Sequence, residues 1–193
     1  MGIIDRDYKK QEHVDSYGKN KVFCPKVAEV ENLFLLEEVL RAVGEQFCFR
    51  DIDERVTKIK AWVVDEFVSF YETFATESAA YEINIKLGGF DGSAKSISDL
   101  KQSYSQLVDN LNIDSIFEER TAYAKQLVED NDYNKIILCF NHKALVNQVG
   151  NFFDIKPTAY KQKVIDIRLE GNENITSAIT SNLQARASKN RKQ

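Results

Sequence analysis

The sequence has few of the residues that build disulfide-rich, zinc-binding or multi-turn β proteins. Its 193 residues include 3 Cys, 2 His, 2 Pro and 8 Gly. Cys24, Cys48 and Cys139 are an odd number at wide spacing, which is typical of free thiols in a reducing cytosol. With only His13 and His142 beside them, no Cys/His zinc cluster of the usual spacing can form. The scarcity of proline and glycine favours helices over a sandwich or barrel.

Long hydrophobic runs and an excess of positive charge are also missing. No apolar run approaches the roughly 20 residues that span a bilayer, and no basic segment leads into an apolar leader. We therefore expect a cytoplasmic protein without a membrane contact. The net charge of -4 argues against a wholly basic, nucleic-acid-coating protein and leaves room for a local basic patch.

The first 50 residues predict a compact βαβ unit. Residues 2–5 predict a buried strand, and residues 9–17 a short polar helix that Gly18 ends. Residues 21–24 predict a second strand, which Pro25 stops. A strand, a helix and a strand in so short a span indicate that the two strands are parallel.

Beyond residue 50 the hydrophobic pattern is helical. Seven apolar side chains from Ile52 to Phe74 share one helix face, which we interpret as core rather than as an aromatic ligand groove. The segment 88–93 lacks phosphate-loop spacing and predicts a connector, and the apolar run 136–140 fits a strand or a buried helix equally well. Other helices are predicted at 36–47, 98–111 (capped by Ser96 or Ser98), 113–130, 143–153, 157–169 and 175–187.

These elements together predict a helix-rich protein with an α/β beginning. Residues 1–50 form a partial α/β unit with a short parallel sheet, and residues 51–187 form a mainly α-helical region packed on it. Residues 188–193 form a basic tail.

Two pairs of carboxylates follow the two predicted strands. Asp5 and Asp7 end the first strand, and Glu29 and Glu31 come just after the second. Side chains two positions apart on a strand share a face, and the carboxyl ends of parallel strands meet at one edge of a sheet. Four converging carboxylates repel one another unless a cation binds, which favours a divalent metal site. The alternative, that the acids are solvated or cap a helix, stays open.

Basic side chains lie near these acids in the sequence or follow the later apolar run. Arg6, Lys9 and Lys10 accompany the first acidic pair, where they either hold a phosphodiester or balance charge. Lys143 is a candidate phosphate ligand, with His142 beside it for proton transfer near neutral pH. A histidine and a lysine at a helix start are more often structural.

Two runs of sequence resemble a TOPRIM-like family of bacterial domains. These are GIIDRDY at residues 2–8 and VAEVENLFL at residues 27–35, the latter followed by the EEVL helix start. Family members accompany ABC-type ATPases in anti-phage systems and are related to the overcoming-lysogenisation-defect nucleases. The run FNHKAL at residues 140–145 is similar to a later element of the family, with His142 where glycine is usual. The clearer part of the resemblance covers residues 2–65.

The resemblance implies a metal-dependent nuclease. Asp5 and Asp7 would coordinate Mg²⁺ or Mn²⁺ for phosphodiester cleavage, with Glu31 or Glu29 completing the ligand set. Asp5, Asp7 and Glu31 would then be the catalytic residues. The family also carries a glutamate on an earlier strand, and this chain has no residues there. The resemblance therefore predicts the C-terminal portion of a larger protein, or one product of a truncated or split gene.

Three functional interpretations follow. The first is a metal-dependent nuclease subunit, or a remnant of one, that acts with an ATPase partner in phage defence, with nucleic acid as the candidate substrate. The second is a non-catalytic helical binding or regulatory module with a degenerate metal edge. The third is a small α-helical protein whose acidic pairs bind no metal. The sequence decides neither the substrate nor the oligomeric state.

Overall fold

The computed structural model describes residues 2–20 and 22–183, and its two strands form one small sheet. Strands β1 (Gly2–Ile3) and β2 (Val22–Phe23) flank helix α1 (Gln11–Lys19). The other described elements are helical: the 3₁₀ helix Val30–Leu35, α2 (Glu37–Gln46), α3 (Ile52–Leu87), α4 (Ile97–Asp109), α5 (Ile113–Asp130), α6 (Tyr133–Cys139), α7 (Leu145–Val149), the 3₁₀ helices Gly150–Phe153 and Pro157–Ala159, α8 (Tyr160–Leu169) and α9 (Glu173–Leu183).

The predicted parallel βαβ unit is confirmed in topology, although its strands are short. Gly2 lies opposite Val22 and Ile3 opposite Phe23 in a parallel ladder. The prediction of a buried strand over residues 2–5 is wrong, because Ile3 is 60% exposed. In the part of the chain that the structure describes, β1 has β2 as its one strand neighbour.

Helix α1 differs from its prediction at its C-terminal end. The helix continues to Lys19, so Gly18 lies inside it instead of ending it. An interior glycine costs a helix roughly 1 kcal/mol relative to alanine, which does not suffice to stop it.

The later helices agree with the sequence pattern. α3 runs unbroken to Leu87, and residues 88–96 connect it to α4 as predicted. The ambiguous run 136–140 lies mostly in helix α6. The end of the last predicted helix and the basic tail fall outside the described residues. Within the described ranges, no helix is both long and apolar enough to traverse a membrane.

The chain divides into two compact units. Among the described residues, one unit runs up to Phe67 and again from Asp132 to Leu183, and the other is Val68–Asn131. In the first unit, the predicted apolar face of α3 is core: Ile59 and Phe67 are fully buried, and Phe67 contacts Phe140 edge-to-face with ring centroids 5.1 Å apart. This unit holds both strands and all the candidate site residues.

The second unit contains the end of α3 together with α4 and α5. The Ser96 hydroxyl caps α4 by accepting a hydrogen bond from the Asp99 amide at 3.1 Å, which selects Ser96 over Ser98 as the predicted cap. Glu82 and Arg120 form a largely buried ion pair within this unit.

Candidate acidic site

Backbone and side-chain hydrogen bonds join the segments that follow the two strands. The Asp7 amide donates to the Ala28 carbonyl at 2.9 Å. The Asp5 carboxylate accepts from the Val30 amide at 3.1 Å and so satisfies the first amide of the 3₁₀ helix. These bonds bring both predicted acidic pairs to one edge of the sheet.

Glu29 is the most deeply buried acid at this edge. The residue is 1% exposed, and its Oε2 atom makes no hydrogen bond. The ammonium of Lys143 lies 3.4 Å from that oxygen, so the charge is neutralised at a distance longer than a good charged hydrogen bond. Burial raises the pKa of Glu29, the Asp5 carboxylate raises it further, and Lys143 lowers it. The alternative in which Glu29 faces solvent is therefore wrong.

Asp7 is held from two sides. Lys9 is 9% exposed, and its Nζ donates to Asp7 Oδ2 at 2.7 Å and to the Asp5 carbonyl at 2.9 Å. The Asn141 amide donates to the other Asp7 oxygen at 3.2 Å. Asp7 has a φ of 44°, in the left-handed region, which aspartate tolerates better than most residues. We call Asp5, Asp7 and Glu29 the acidic edge.

The remaining predicted residues lie around the acidic edge with other partners. Glu31 pairs with Lys161 of α8 at 3.6 Å, and the Arg6 guanidinium donates to Gln11 at 3.1 Å. The Lys143 side chain is 65% exposed, and its pKa is raised by Glu29 first and also by Asp5 and Glu31. Lys143 is therefore a predicted phosphate ligand with ready access to solvent, unlike the buried Lys9.

Asn32 fixes the segment that carries Asn141 and Lys143. It is fully buried, and its side-chain amide donates to the carbonyls of Ile137 at 3.0 Å and Phe140 at 2.9 Å. Sequence reasoning missed Asn32 and Asn141. A polar residue directly before the apolar run Leu33–Leu36 was the available signal for the first, because a buried amide needs partners.

The donor set of the acidic edge matches Mg²⁺ or Mn²⁺, which prefer carboxylate oxygens. The buried Glu29 oxygen without a hydrogen bond is the observation that supports this fit. In the described part of the chain, however, no three His, Cys, Asp or Glu side chains already form a group that could hold a metal ion. Cation binding would therefore require a local rearrangement in which the Lys9 ammonium moves away from the Asp7 carboxylate.

Fold and site together define a helix-rich protein with a minimal parallel sheet and an acidic edge at its carboxyl end. Comparison with protein-family models, with curated proteins and with solved structures finds no match to this chain. The TOPRIM-like resemblance thus stays a prediction, and function is inferred from the geometry of the site.

Proposed function

We propose that the acidic edge binds a divalent cation, Mg²⁺ or Mn²⁺, and that the chain acts in phosphodiester hydrolysis. The observation that carries this proposal is the Oε2 atom of Glu29, which is buried and makes no hydrogen bond. Its one ion-pair partner among the described residues, the largely exposed Lys143 ammonium at 3.4 Å, is too distant for a good charged hydrogen bond and so offsets only part of the cost of burying the carboxylate. A cation shared with Asp5 and Asp7 would remove that cost.

The residues around the edge suit a phosphodiester substrate. A bound divalent cation would supply polarisation of the phosphate and a more acidic water. Lys143 would hold the phosphate charge, because its ammonium combines solvent access with a place beside Glu29. Asn141 would orient Asp7 through its 3.2 Å hydrogen bond. Glu31 is the third catalytic residue expected from the resemblance. It would lie beside the cation ligands Asp5, Asp7 and Glu29 and would not be one of them.

The wider context of the activity is proposed from the resemblance of residues 2–65 alone. On that basis the chain works with an ABC-type ATPase partner in phage defence, in the cytoplasm. Co-purification of an ABC-type ATPase with the tagged chain is the direct test of this part.

A second candidate function is a non-catalytic binding or regulatory module. The observation that favours it is the pair of lysines already at the edge, Lys9 at 2.7 Å from Asp7 and Lys143 at 3.4 Å from Glu29. Two ammonium groups neutralise much of the acidic charge, and such an edge can be structural.

Calorimetric titration with Mn²⁺ tests cation binding. We expect binding by the wild type and none by the Asp5→Asn/Asp7→Asn double variant. The matched control is Glu118→Gln/Glu119→Gln, which removes two exposed carboxylates from α5 and should bind as the wild type does. Absence of binding in the wild type would refute the metal site.

Hydrolysis is tested separately from binding. Bis(p-nitrophenyl) phosphate, single-stranded DNA and RNA are incubated with each variant and Mn²⁺. Cleavage that the double variant loses and the control keeps supports the nuclease. Cation binding without cleavage favours the regulatory module.

A further inference from the structure

A groove of about 370 Å³ opens in the first unit, at the segment that follows helix α6. Its volume lies within the range of small-molecule sites. We call it the aromatic groove, after the ring side chains in its wall. The lining residues that matter here are Trp62, Glu66, His142, Gln148, Asn151 and Phe152.

The aromatic groove and the acidic edge share one short segment of chain. His142 lines the groove, and its neighbours on both sides reach the edge. Asn141 donates to Asp7 at 3.2 Å, and Lys143 lies 3.4 Å from Glu29. Successive Cα atoms are about 3.8 Å apart, so the part of the groove wall at His142 is one residue away from the groups that contact the edge.

The rings of the groove are positioned by defined contacts. Trp62 packs on Phe152 with centroids 5.5 Å apart, and its indole Nε1 donates to Glu66 at 3.0 Å. His142 stacks on the buried Phe140 ring at 5.4 Å with an interplanar angle of 11°. These contacts provide held, flat surfaces of the kind on which bases stack.

Polar groups of the groove match the edge of a base. The Asn151 amide donates to the Gln148 carbonyl oxygen at 3.1 Å. That bond engages the oxygen of Gln148 and one amide hydrogen of Asn151, while the Gln148 amide is a donor and the Asn151 carbonyl oxygen an acceptor. The Glu66 carboxylate adds further acceptor capacity. A nucleobase carries donors and acceptors on one edge and a flat face for stacking.

We propose that the aromatic groove binds a base of single-stranded nucleic acid, with the adjoining backbone phosphate at the ammonium of Lys143. This inference rests on the proposed function and names its substrate class. A base within a duplex is stacked and paired, so it cannot enter the groove, and stacking on aromatic rings is tolerant of sequence. The exposed ammonium of Lys143 lies at the junction where the phosphate would bind.

The sole tryptophan of the chain, Trp62, makes the test direct. Because Trp62 lines the groove, its fluorescence reports base binding at that site. We titrate the protein in EDTA and low salt with hexameric oligoadenylate, as DNA and as RNA. We expect quenching by both strands and little quenching by an abasic hexamer of the same phosphate number. Adenosine monophosphate should bind more weakly than the hexamer.

A ring variant tests the stacking itself. Phe152→Leu keeps an apolar side chain but removes a ring, and should raise the Kd for the hexamer about five-fold or more. The control Phe117→Leu removes a 44% exposed ring from α5 and should leave the Kd unchanged. Far-UV circular dichroism checks that both variants fold, and Gln148→Ala offers a second groove variant at an exposed position.

The outcomes separate this inference from the proposed function. Equal quenching by the abasic hexamer, or equal Kd values for the two phenylalanine variants, would overturn base binding in the groove. Equal affinity for the mononucleotide would overturn a nucleic-acid strand as the ligand. Mn²⁺ binding that persists alongside any of those results would leave the proposed function intact. Conversely, if the hexamer quenched the Trp62 fluorescence of the Asp5→Asn/Asp7→Asn variant in EDTA, base binding in the groove would be supported independently of the metal.

Discussion

Replacement of Asn32 by alanine is the sharpest test of how the site is built. Asn32 is fully buried, and its amide bridges the carbonyls of Ile137 and Phe140 from a 3₁₀ helix more than a hundred positions earlier in the chain. The bridge holds the C-terminal end of α6, after which Asn141 and Lys143 turn toward the acidic edge. Loss of the amide should therefore weaken both the fold and the site.

The expected loss of stability follows from the two hydrogen bonds. Each contributes about 1 kcal/mol net, and removal of a buried donor adds a desolvation cost for its acceptor. The Ile137 carbonyl keeps a weaker contact with the Ala28 amide at 3.4 Å, which limits that cost. The Asn32 Oδ1 atom is buried without a hydrogen bond, so its removal offsets part of the loss. We therefore expect Asn32→Ala to lower the free energy of unfolding by about 2 kcal/mol.

Urea denaturation followed by Trp62 fluorescence measures this change, because Trp62 belongs to the same unit as Asn32. The matched control is Asn134→Ala, an exposed asparagine on α6, which should change stability by less than about 0.5 kcal/mol. Mn²⁺ affinity measured on the folded variant should fall as well, because the segment with Asn141 is less well held. If Asn32→Ala unfolded at the same urea concentration as Asn134→Ala, the bridge would be energetically unimportant and the reasoning wrong.

Three further predictions concern the edge and the second unit. Because the pKa of Glu29 is raised in the folded state, Glu29 contributes a free energy of unfolding that is fully present below its unfolded pKa near 4.5 and is lost as the pH rises through its folded pKa. Glu29→Gln should abolish this loss of stability with rising pH, measured by urea denaturation at several pH values from 4 to 8. Lys9→Met removes the ammonium that competes with a cation for Asp7. The charged hydrogen bond that it breaks is worth about 1.5–3 kcal/mol, so the Mn²⁺ affinity measured by calorimetry should rise by about ten-fold or more. Unchanged or weaker Mn²⁺ binding would contradict competition between Lys9 and the cation. Ser96→Ala removes the cap that accepts from the Asp99 amide and should cost about 1 kcal/mol of unfolding free energy by thermal denaturation, whereas an unaltered transition would show that the cap contributes nothing.

The helices were predictable because their signal is periodic and local. The seven apolar positions from Ile52 to Phe74 specify one face of α3, and that face is the core of the first unit at Ile59 and Phe67. The burial of the strands was harder to predict. An apolar run such as residues 2–5 indicates a preference for extended backbone, but it does not specify how many neighbouring strands or helices pack against it. Ile3 therefore matched a buried strand in pattern and is exposed in the structure.

The site was predictable in its acids and not in their partners. Side chains two positions apart on a strand share a face, and the carboxyl ends of parallel strands meet at one edge. These two rules predicted that Asp5, Asp7 and Glu29 lie together. Asn141 donates a hydrogen bond to Asp7 although the two residues are 134 positions apart in the sequence, and no local sequence pattern predicts a contact over that separation. Lys9 was expected either to hold a phosphodiester or to balance charge, and in the structure it bonds Asp7.

The balance of charge at the acidic edge explains why the proposed cation binding depends on the lysines. Three carboxylates meet two ammonium groups there, and the pair Lys9 and Asp7 has good geometry whereas the pair Lys143 and Glu29 does not. A buried carboxylate in a poorly bonded ion pair does not recover its own desolvation cost. The weak side of this arrangement is Glu29, whose buried oxygen gains little from a largely solvated lysine 3.4 Å away. A divalent cation and an ammonium are thus alternative ways to meet the same electrostatic demand, and Glu29 is where a cation has the most to add.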